Sequence, residues 1–218
     1  MSDYWNRQYG KEGALWGDDP SELARIAVDY LRKQRTSFVY LIDIGCGYGR
    51  DARYIAKLPN VKVLGIDCSK NAIEHAKNSS SGLDNVEFQC IDFRELRDET
   101  YDVIYLSNVY QILRNDERRD LRKTLKCLLK PGGLLFLSTH SVRDPEHYQR
   151  GALVEGEANS FIDQKADTYV HLCTKGELVE DFSFLDITEL YEHDYIEKRV
   201  GGDHHHISWI MIALRPKE

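Results

Sequence analysis

Residues 39–50 read VYLIDIGCGYGR, and this stretch decides the fold. Val39, Tyr40, Leu41, Ile42 and Ile44 form a short, nearly all-apolar run, the pattern of a strand covered by helices on both faces. Asp43 stands near its end, and Gly45, Gly47 and Gly49 follow at every second position. Glycines there permit tight turning and let a ligand approach the backbone closely. Asp51 to Lys57 begins a helix whose amino end carries partial positive charge and faces the same ligand. Strand, glycine turn and helix in that order predict a nucleotide-type cofactor loop, with Asp43 placed to accept from a cationic amine.

Three further apolar runs end in polar groups. Val61 to Ile66 (VKVLGI) is followed by Asp67 and Cys68, Val86 to Ile91 (VEFQCI) by Asp92 and Phe93, and Tyr101 to Leu106 (YDVIYL) by Ser107 and Asn108. Any one of these acids alone reads equally well as a helix cap or a solvated loop carboxylate. Recurring at the same place in an alternating strand-helix pattern, they fall together at the carboxyl edge of a parallel sheet, where ligands bind in such folds. The two oxygens of Asp67 suit two vicinal ribose hydroxyls.

Spacing separates two cofactor families. Dinucleotide sites use G-x-G-x-x-G to seat a pyrophosphate, and here Arg50 takes the last glycine's place. An acid followed by G-x-G-x-G instead resembles motif I of the class I S-adenosylmethionine-dependent methyltransferases. That resemblance implies an α/β, three-layer Rossmann-like fold: a seven-stranded, mostly parallel sheet with an antiparallel terminal strand and helices on both faces. It places Asp67 at the ribose, Asp92 on the exocyclic amine of adenine with Phe93 packed on the ring, and Ser107 and Asn108 against the methionine part. Gly45, Cys46, Gly47, Gly49 and Cys68 fall in the same loops. Pro131-Gly132-Gly133 before a fifth strand, Leu134 to Ser138, also resembles the family.

The chain has 218 residues, 42% of them hydrophobic, with no repeat or linker that would divide it. One methyltransferase domain over 1–218 is the simplest organisation. It comprises an N-terminal lid and helix (1–36), a cofactor-binding core (37–141), an acceptor-side insertion (142–173) and a C-terminal helix with a strand hairpin (174–218). No apolar run approaches the roughly 20 residues of a membrane helix, and the first residues lack the pattern of a signal peptide. Five cysteines without a C-x-x-C pair read as reduced thiols, and together these features predict a cytoplasmic protein. A net charge of -7 with dispersed basic residues disfavours nucleic acid. The run RNDERRDLRKTLKCLLK reads as an amphipathic helix with Leu121, Leu125 and Leu128 inward and Arg118, Arg119, Arg122 and Lys123 solvated. Asp19-Pro20-Ser21-Glu22 reads as a helix start capped by Asp19.

Towards the end, Leu185 to Tyr191 and Ile207 to Leu214 read as two strands joined by a polar loop that carries His204, His205 and His206. Strand alternation puts His204 and His206 on one side and His205 on the other. With His140, just past the fifth strand, these are the candidates for catalysis on a protic acceptor. His171 precedes the capping box Thr174-Lys175-Gly176-Glu177. No metal site is assigned. Tyr9 and Trp16, with Tyr4 and Trp5, precede the first expected helix and read as a lid or a core anchor. Val142 to Thr168 reads as an irregular excursion facing the acceptor.

The N-terminal YWNRQYGKEGALWG, the glycine loop and the late histidines together look like small-molecule methyltransferases related to the tellurite-resistance and thiopurine enzymes. The resemblance implies S-adenosylmethionine as cofactor, S-adenosylhomocysteine as product and a small-molecule acceptor, and leaves oligomeric state open. Three other readings stand beside it: a dehydrogenase with an aberrant loop, a noncatalytic adenosyl-cofactor-binding regulatory module, and a protein methyltransferase.

Overall fold

A computed structural model describes residues 2–12, 14–34, 37–97, 99–148, 151–163, 168–199 and 202–217. Strand β1 (Val39–Ile44) alternates its side chains between two faces, Val39 and Leu41 to one and Ile42 and Ile44 to the other. All four are buried, so the strand is covered on both sides, as its apolar run predicts. Strands β2 (Val61–Asp67), β3 (Val86–Cys90), β4 (Tyr101–Ser107) and β5 (Leu129–His140) follow. Next come three short strands, β6 (Gly151–Leu153), β7 (Ser160–Asp163) and β8 (Thr168–His171), and then β9 (Asp186–Arg199) and β10 (Gly202–Leu214). The main sheet has seven strands in the order β3-β2-β1-β4-β5-β10-β9. β1 to β5 run parallel, and β10 lies antiparallel between β5 and β9.

Two apolar layers hold helices to the sheet. On one face α2 (Glu22–Gln34), α3 (Arg50–Ile55) and α4 (Lys70–Asn78) pack Leu23, Ala27, Ile55 and Ile73 against Leu41, Val63 and Phe136. On the other, α5 (Asn115–Leu128) and α6 (Lys175–Asp181) pack Leu121, Leu125, Leu178 and Phe182 against Ile104, Leu135 and Met211. Each Leu, Ile, Val, Phe or Met among them contributes about 1.5–3 kcal/mol on burial. The expected three-layer architecture is therefore present.

Several local expectations are corrected. Of the N-terminal aromatics, Tyr4, Trp5 and Tyr9 do not precede the first helix but lie on one, α1 (Ser2–Glu12), while Trp16 follows it in a turn before α2. Helix α2 is capped by Ser21 rather than Asp19, its Oγ accepting from the Ala24 N–H at 3.2 Å. Ser21 is held there by Asp51, which accepts from its N–H and its Oγ at 2.9 and 2.6 Å. The stretch 142–168 is not irregular throughout: β6 and β7 lie within it and form a separate antiparallel sheet with β8, while residues 149–150 and 164–167 lie outside the described residues. Arg118 is not solvated. It is 4% exposed and donates to Leu113 O and Tyr169 Oη at 2.7 and 2.8 Å, tying α5 to this small sheet. Arg122 pairs with Asp181 of α6 at 3.0 Å.

The histidines are not in a loop either. β9 and β10 pair from Gly202↔Arg199 down to Leu214↔Asp186, so residues 204–206 sit inside a long hairpin that overhangs the carboxyl edge. Of the Thr174 capping box only half forms: Thr174 Oγ1 accepts from Glu177 N at 3.1 Å, while the Glu177 carboxylate turns to His171 instead.

Candidate active site

The strand order reverses between β1 and β4, so the connections leaving these strands diverge and open a crevice at the carboxyl edge. In the loop after β1, Gly45, Gly47 and Gly49 all take the left-handed conformation, with φ of 75°, 53° and 76°. Space also forbids a side chain: a Cβ on Gly45 would lie 2.3 Å from Val109 Cγ2, and one on Gly47 2.6 Å from Tyr9 Oη. The N–H groups of Gly45 and Cys46 donate to Ile66 O at 2.8 and 2.9 Å, fixing the loop to the end of β2. Cys46 is half-buried there and Cys68 exposed, and burial pushes both thiols up.

The acids occupy the expected edge with distinct environments. Asp43 is 2% exposed, and among the described residues no hydrogen bond reaches its carboxylate. Burial, reinforced by the charges of Asp51 and Asp67, holds its pKa well above the usual aspartate range. Asp67 accepts from the Gly47 N–H at 2.9 Å and the Ser69 N–H at 2.8 Å, one on each oxygen. Burial raises it too, against the pull of those donors. Asp92 caps a single helical turn at residues 93–95 and is gripped by Arg94, whose Nε and Nη2 donate at 2.9 and 2.6 Å. That hydrogen-bonded pair lowers its pKa. Phe93 is buried among Ile44, Ile66 and their neighbours, with the Arg94 guanidinium 5.7 Å from its ring centroid.

After β4, Ser107 Oγ lies 3.2 Å from Ser138 Oγ, and Asn108 takes φ of 56°, a left-handed conformation uncommon outside glycine. Asn108 Oδ1 is buried with no hydrogen-bond partner, and so is Gln111 Oε1 on the same connection. Buried polar atoms are almost always paired, so two orphans on one connection mark a place for a ligand. Gln111 was not foreseen.

The N-terminal segment covers the loop. Tyr9 is buried, and Trp16 stacks on Tyr48 at 12° with centroids 6.3 Å apart. Asn6 Oδ1 accepts from Ser69 Oγ and Asn71 N at 3.1 and 3.0 Å, and Tyr48 Oη donates to Gly17 O at 2.6 Å. Arg50, which replaces the last glycine, holds Asp51 at 3.1 Å and donates to Trp16 O at 3.3 Å.

Beside β4, the end of β5 carries His140, which pairs across to Ser208 of β10. Its Nδ1 lies 3.2 Å from Ser208 Oγ and 3.7 Å from Asp144 Oδ2. Asp144 is fully buried and accepts from the N–H groups of Glu146, His147 and Ile207, each at 3.0 Å, and from His206 Nδ1 at 2.9 Å. Burial pushes Asp144 up, but the His206 hydrogen bond and the nearby His140, His206 and His147 rings outweigh it and hold its carboxyl at about 2. Asp144 is therefore ionised and only accepts, so His206 carries its proton on Nδ1. Its Nε2 is buried without a hydrogen-bond partner, with Glu197 Oε2 at 3.7 Å. The His140 and His206 rings stack at 14° with centroids 5.1 Å apart, and His147 joins at 4.8 and 5.6 Å.

Alternation holds as expected: His204 stacks under His206, while His205 faces the other way to Asp194 at 2.7 Å. His204 lies 3.6 Å from Glu146 and is further from the centre of the array. His171 is buried and spends both ring nitrogens, on Ser160 Oγ at 2.9 Å and Glu177 Oε1 at 2.6 Å. Asp144 and His147 were missed because they lie in the stretch read as irregular. Two surface depressions of about 400 Å³ lie elsewhere, one lined by Lys77, Leu83 and Phe88 and the other by Tyr40, Lys62 and Lys130.

Residues 41–133 match the family described as a methyltransferase domain, the stretch running from β1 through the start of β5. That stretch resembles a methyltransferase domain, and the residues before and after it lie outside the match. Phosphoethanolamine N-methyltransferase 1 of Arabidopsis thaliana is 31% identical over 150 residues, 67% of this chain and 29% of its own length. A ubiquinone biosynthesis O-methyltransferase of Coxiella burnetii is 31% identical over 140 residues, 63% of this chain and 56% of its own. The chain thus spans less than two thirds of these relatives. A SAM-dependent methyltransferase structure from Methanosarcina mazei superposes with a TM-score of 0.73 at 23% identity, covering 86% of this chain and 97% of that one. Among the described residues no helix is long and apolar enough to cross a membrane.

Proposed function

We propose that the protein transfers a methyl group from S-adenosylmethionine to a small-molecule acceptor by direct in-line displacement. One observation carries the reading: Asp43 is a buried carboxylate that accepts no hydrogen bond among the described residues, two positions before the first of three left-handed glycines. A buried carboxyl of this kind is stabilised in its charged form by a cation brought beside it. The donor set fits the cofactor. Asp43 and the orphaned Asn108 Oδ1 accept from its ammonium group, Asp67 takes the ribose hydroxyls, and the glycine loop admits the chain between them. Asp92 and Phe93 serve the adenine end, with Arg94 competing for the carboxylate.

When bound, the cofactor supplies a methyl group already activated on a sulfonium. The protein's remaining tasks are alignment and exclusion of water. Tyr9 and Trp16 supply the cover. At the acceptor side the histidine array handles the proton of a hydroxyl or amine: His206, oriented by Asp144, takes it on Nε2, while His140 and His204 extend the array on either side. The relatives methylate nitrogen in one case and oxygen in the other, in keeping with a protic acceptor. The five unbonded cysteines and the net charge of -7 support a cytoplasmic enzyme acting on small molecules rather than nucleic acid.

Calorimetric titration with S-adenosylhomocysteine, in parallel with NAD, tests the reading. Micromolar-range binding of the adenosyl product, lost in Asp67→Ala and absent for NAD, is expected. Folded protein that binds NAD and not the adenosyl product would overturn it.

A further inference from the structure

We propose that His140, His147 and His206 bind a divalent transition-metal ion of the zinc type, with Asp144 orienting the set. Its role at the acceptor rests on the methyltransferase reading, but the site stands on its own geometry. One ring nitrogen from each histidine lies within 4.8 Å of the other two. His206 is 2% exposed, and its Nε2 is a buried nitrogen with no hydrogen-bond partner. With Nδ1 on Asp144, Nε2 is the ring nitrogen left to face a ligand.

The second ring nitrogens follow the pattern of metal ligands. Metal-bound histidine nearly always gives its other nitrogen to a carboxylate, a carbonyl or a similar partner, which fixes tautomer and orientation. Here His206 Nδ1 is on Asp144 at 2.9 Å, and His140 Nδ1 is on Ser208 Oγ at 3.2 Å. Three imidazoles suit zinc, cobalt or nickel rather than magnesium or calcium, which demand oxygen. Three protein ligands also leave a fourth position for an exchangeable oxygen, as in catalytic rather than structural zinc sites.

The contrast with the second cluster of potential ligands, His171, Cys173 and Glu177, is instructive. There both imidazole nitrogens are spent within the protein, and the Cys173 thiol is buried with its pKa raised, so that cluster is packing.

Loading requires the nitrogens to close from 4.8 Å to about 3.3 Å, the separation that metal-nitrogen bonds of about 2.0–2.1 Å give at tetrahedral angles. His140 and His206 lie 14° from parallel, so their rings must tilt for the lone pairs to converge. His147, in a turn and half-buried, closes the set. A metal held there would bind the acceptor's hydroxyl or amine directly and lower its pKa, replacing free histidine as the activating group.

The test is metal binding by the full chain after chelator dialysis. Co²⁺ serves as an optical probe, Zn²⁺ is followed by calorimetry, and Mg²⁺ is the hard-cation control. Expected are one Zn²⁺ per chain, visible bands of four-coordinate Co²⁺ and no Mg²⁺ heat. His147→Ala should weaken Zn²⁺ by about tenfold or more, and Asp144→Asn by about 10–100-fold. If Asp144→Asn does not fold, His147→Ala decides alone. Folded wild type without Co²⁺ bands, or bands unchanged in His147→Ala, overturns the site. S-adenosylhomocysteine heat on the same preparation reports separately on the methyltransferase reading, so the two failures are distinguishable.

Discussion

Replacing Asp43 with asparagine should move stability and affinity in opposite directions. In the free protein Asp43 is 2% exposed and its pKa is raised by burial and by Asp51 and Asp67. A carboxyl whose folded pKa exceeds its unfolded value stabilises the fold fully below the ordinary aspartate pKa of about 3.9, and that contribution is lost as pH rises through the raised value. Above the ordinary aspartate range the buried carboxyl therefore works against the apo fold, and Asp43→Asn should melt at a higher temperature while flattening that part of the pH profile. The adenosyl ligand should show the reverse. A hydrogen bond between ammonium and carboxylate is worth about 1.5–3 kcal/mol, so losing about 2 kcal/mol raises the Kd for S-adenosylhomocysteine about 30-fold. Thermal melts across pH with and without ligand, combined with calorimetry, measure both effects. An apo melting temperature that falls, with affinity changed by less than about threefold, would refute the claim that this charge is kept for the cofactor.

Gly45→Ala forces a side chain into φ of 75° and against Val109, and should cost about 2–4 kcal/mol in urea unfolding together with adenosyl binding. Arg118→Ala leaves Leu113 O and Tyr169 Oη without their buried donor and should cost about 2–3 kcal/mol by the same assay, with no change in cofactor affinity. His206→Asn keeps a donor for Asp144 but removes the Nε2 lone pair. With a protic acceptor, turnover should fall by about 10²-fold or more while S-adenosylhomocysteine affinity stays level. An unchanged turnover would remove His206 from the chemistry.

The parts of the fold written in local sequence were legible. Five parallel strands and the acids after three of them follow from apolar runs and their punctuation, and strand alternation put His204 and His206 on one face. What escaped was set by partners distant in sequence. Ser21 displaces Asp19 as the cap because Asp51 and Tyr105 hold it, contacts 30 and 84 residues away. Arg118 looks solvated on a helical wheel and is buried because Tyr169 of the small sheet, 51 residues later, docks on it. The polar sequence before Ile207 reads as a loop, yet pairing with β9 extends the strand back to Gly202. The acceptor side was incomplete for the same reason: Asp144 meets His206 only because β10 returns beside β5.

Strand β9 forms one border of the seven-stranded sheet, with β10 on one side and, among the described residues, no strand on the other. Fourteen residues of extended backbone with Ile196 56% exposed and Tyr191 40% exposed would be a template for a second chain. Glu189, Glu192, Asp194 and Glu197 lie along that border, and like charges on a second copy would meet them. The colloidal behaviour of the protein is therefore tied to these carboxylates: replacing them with glutamine and asparagine should promote self-association, visible as rising light scattering at neutral pH. Scattering unchanged in that neutralised variant would show that twist or side-chain bulk, not charge, keeps the border apart.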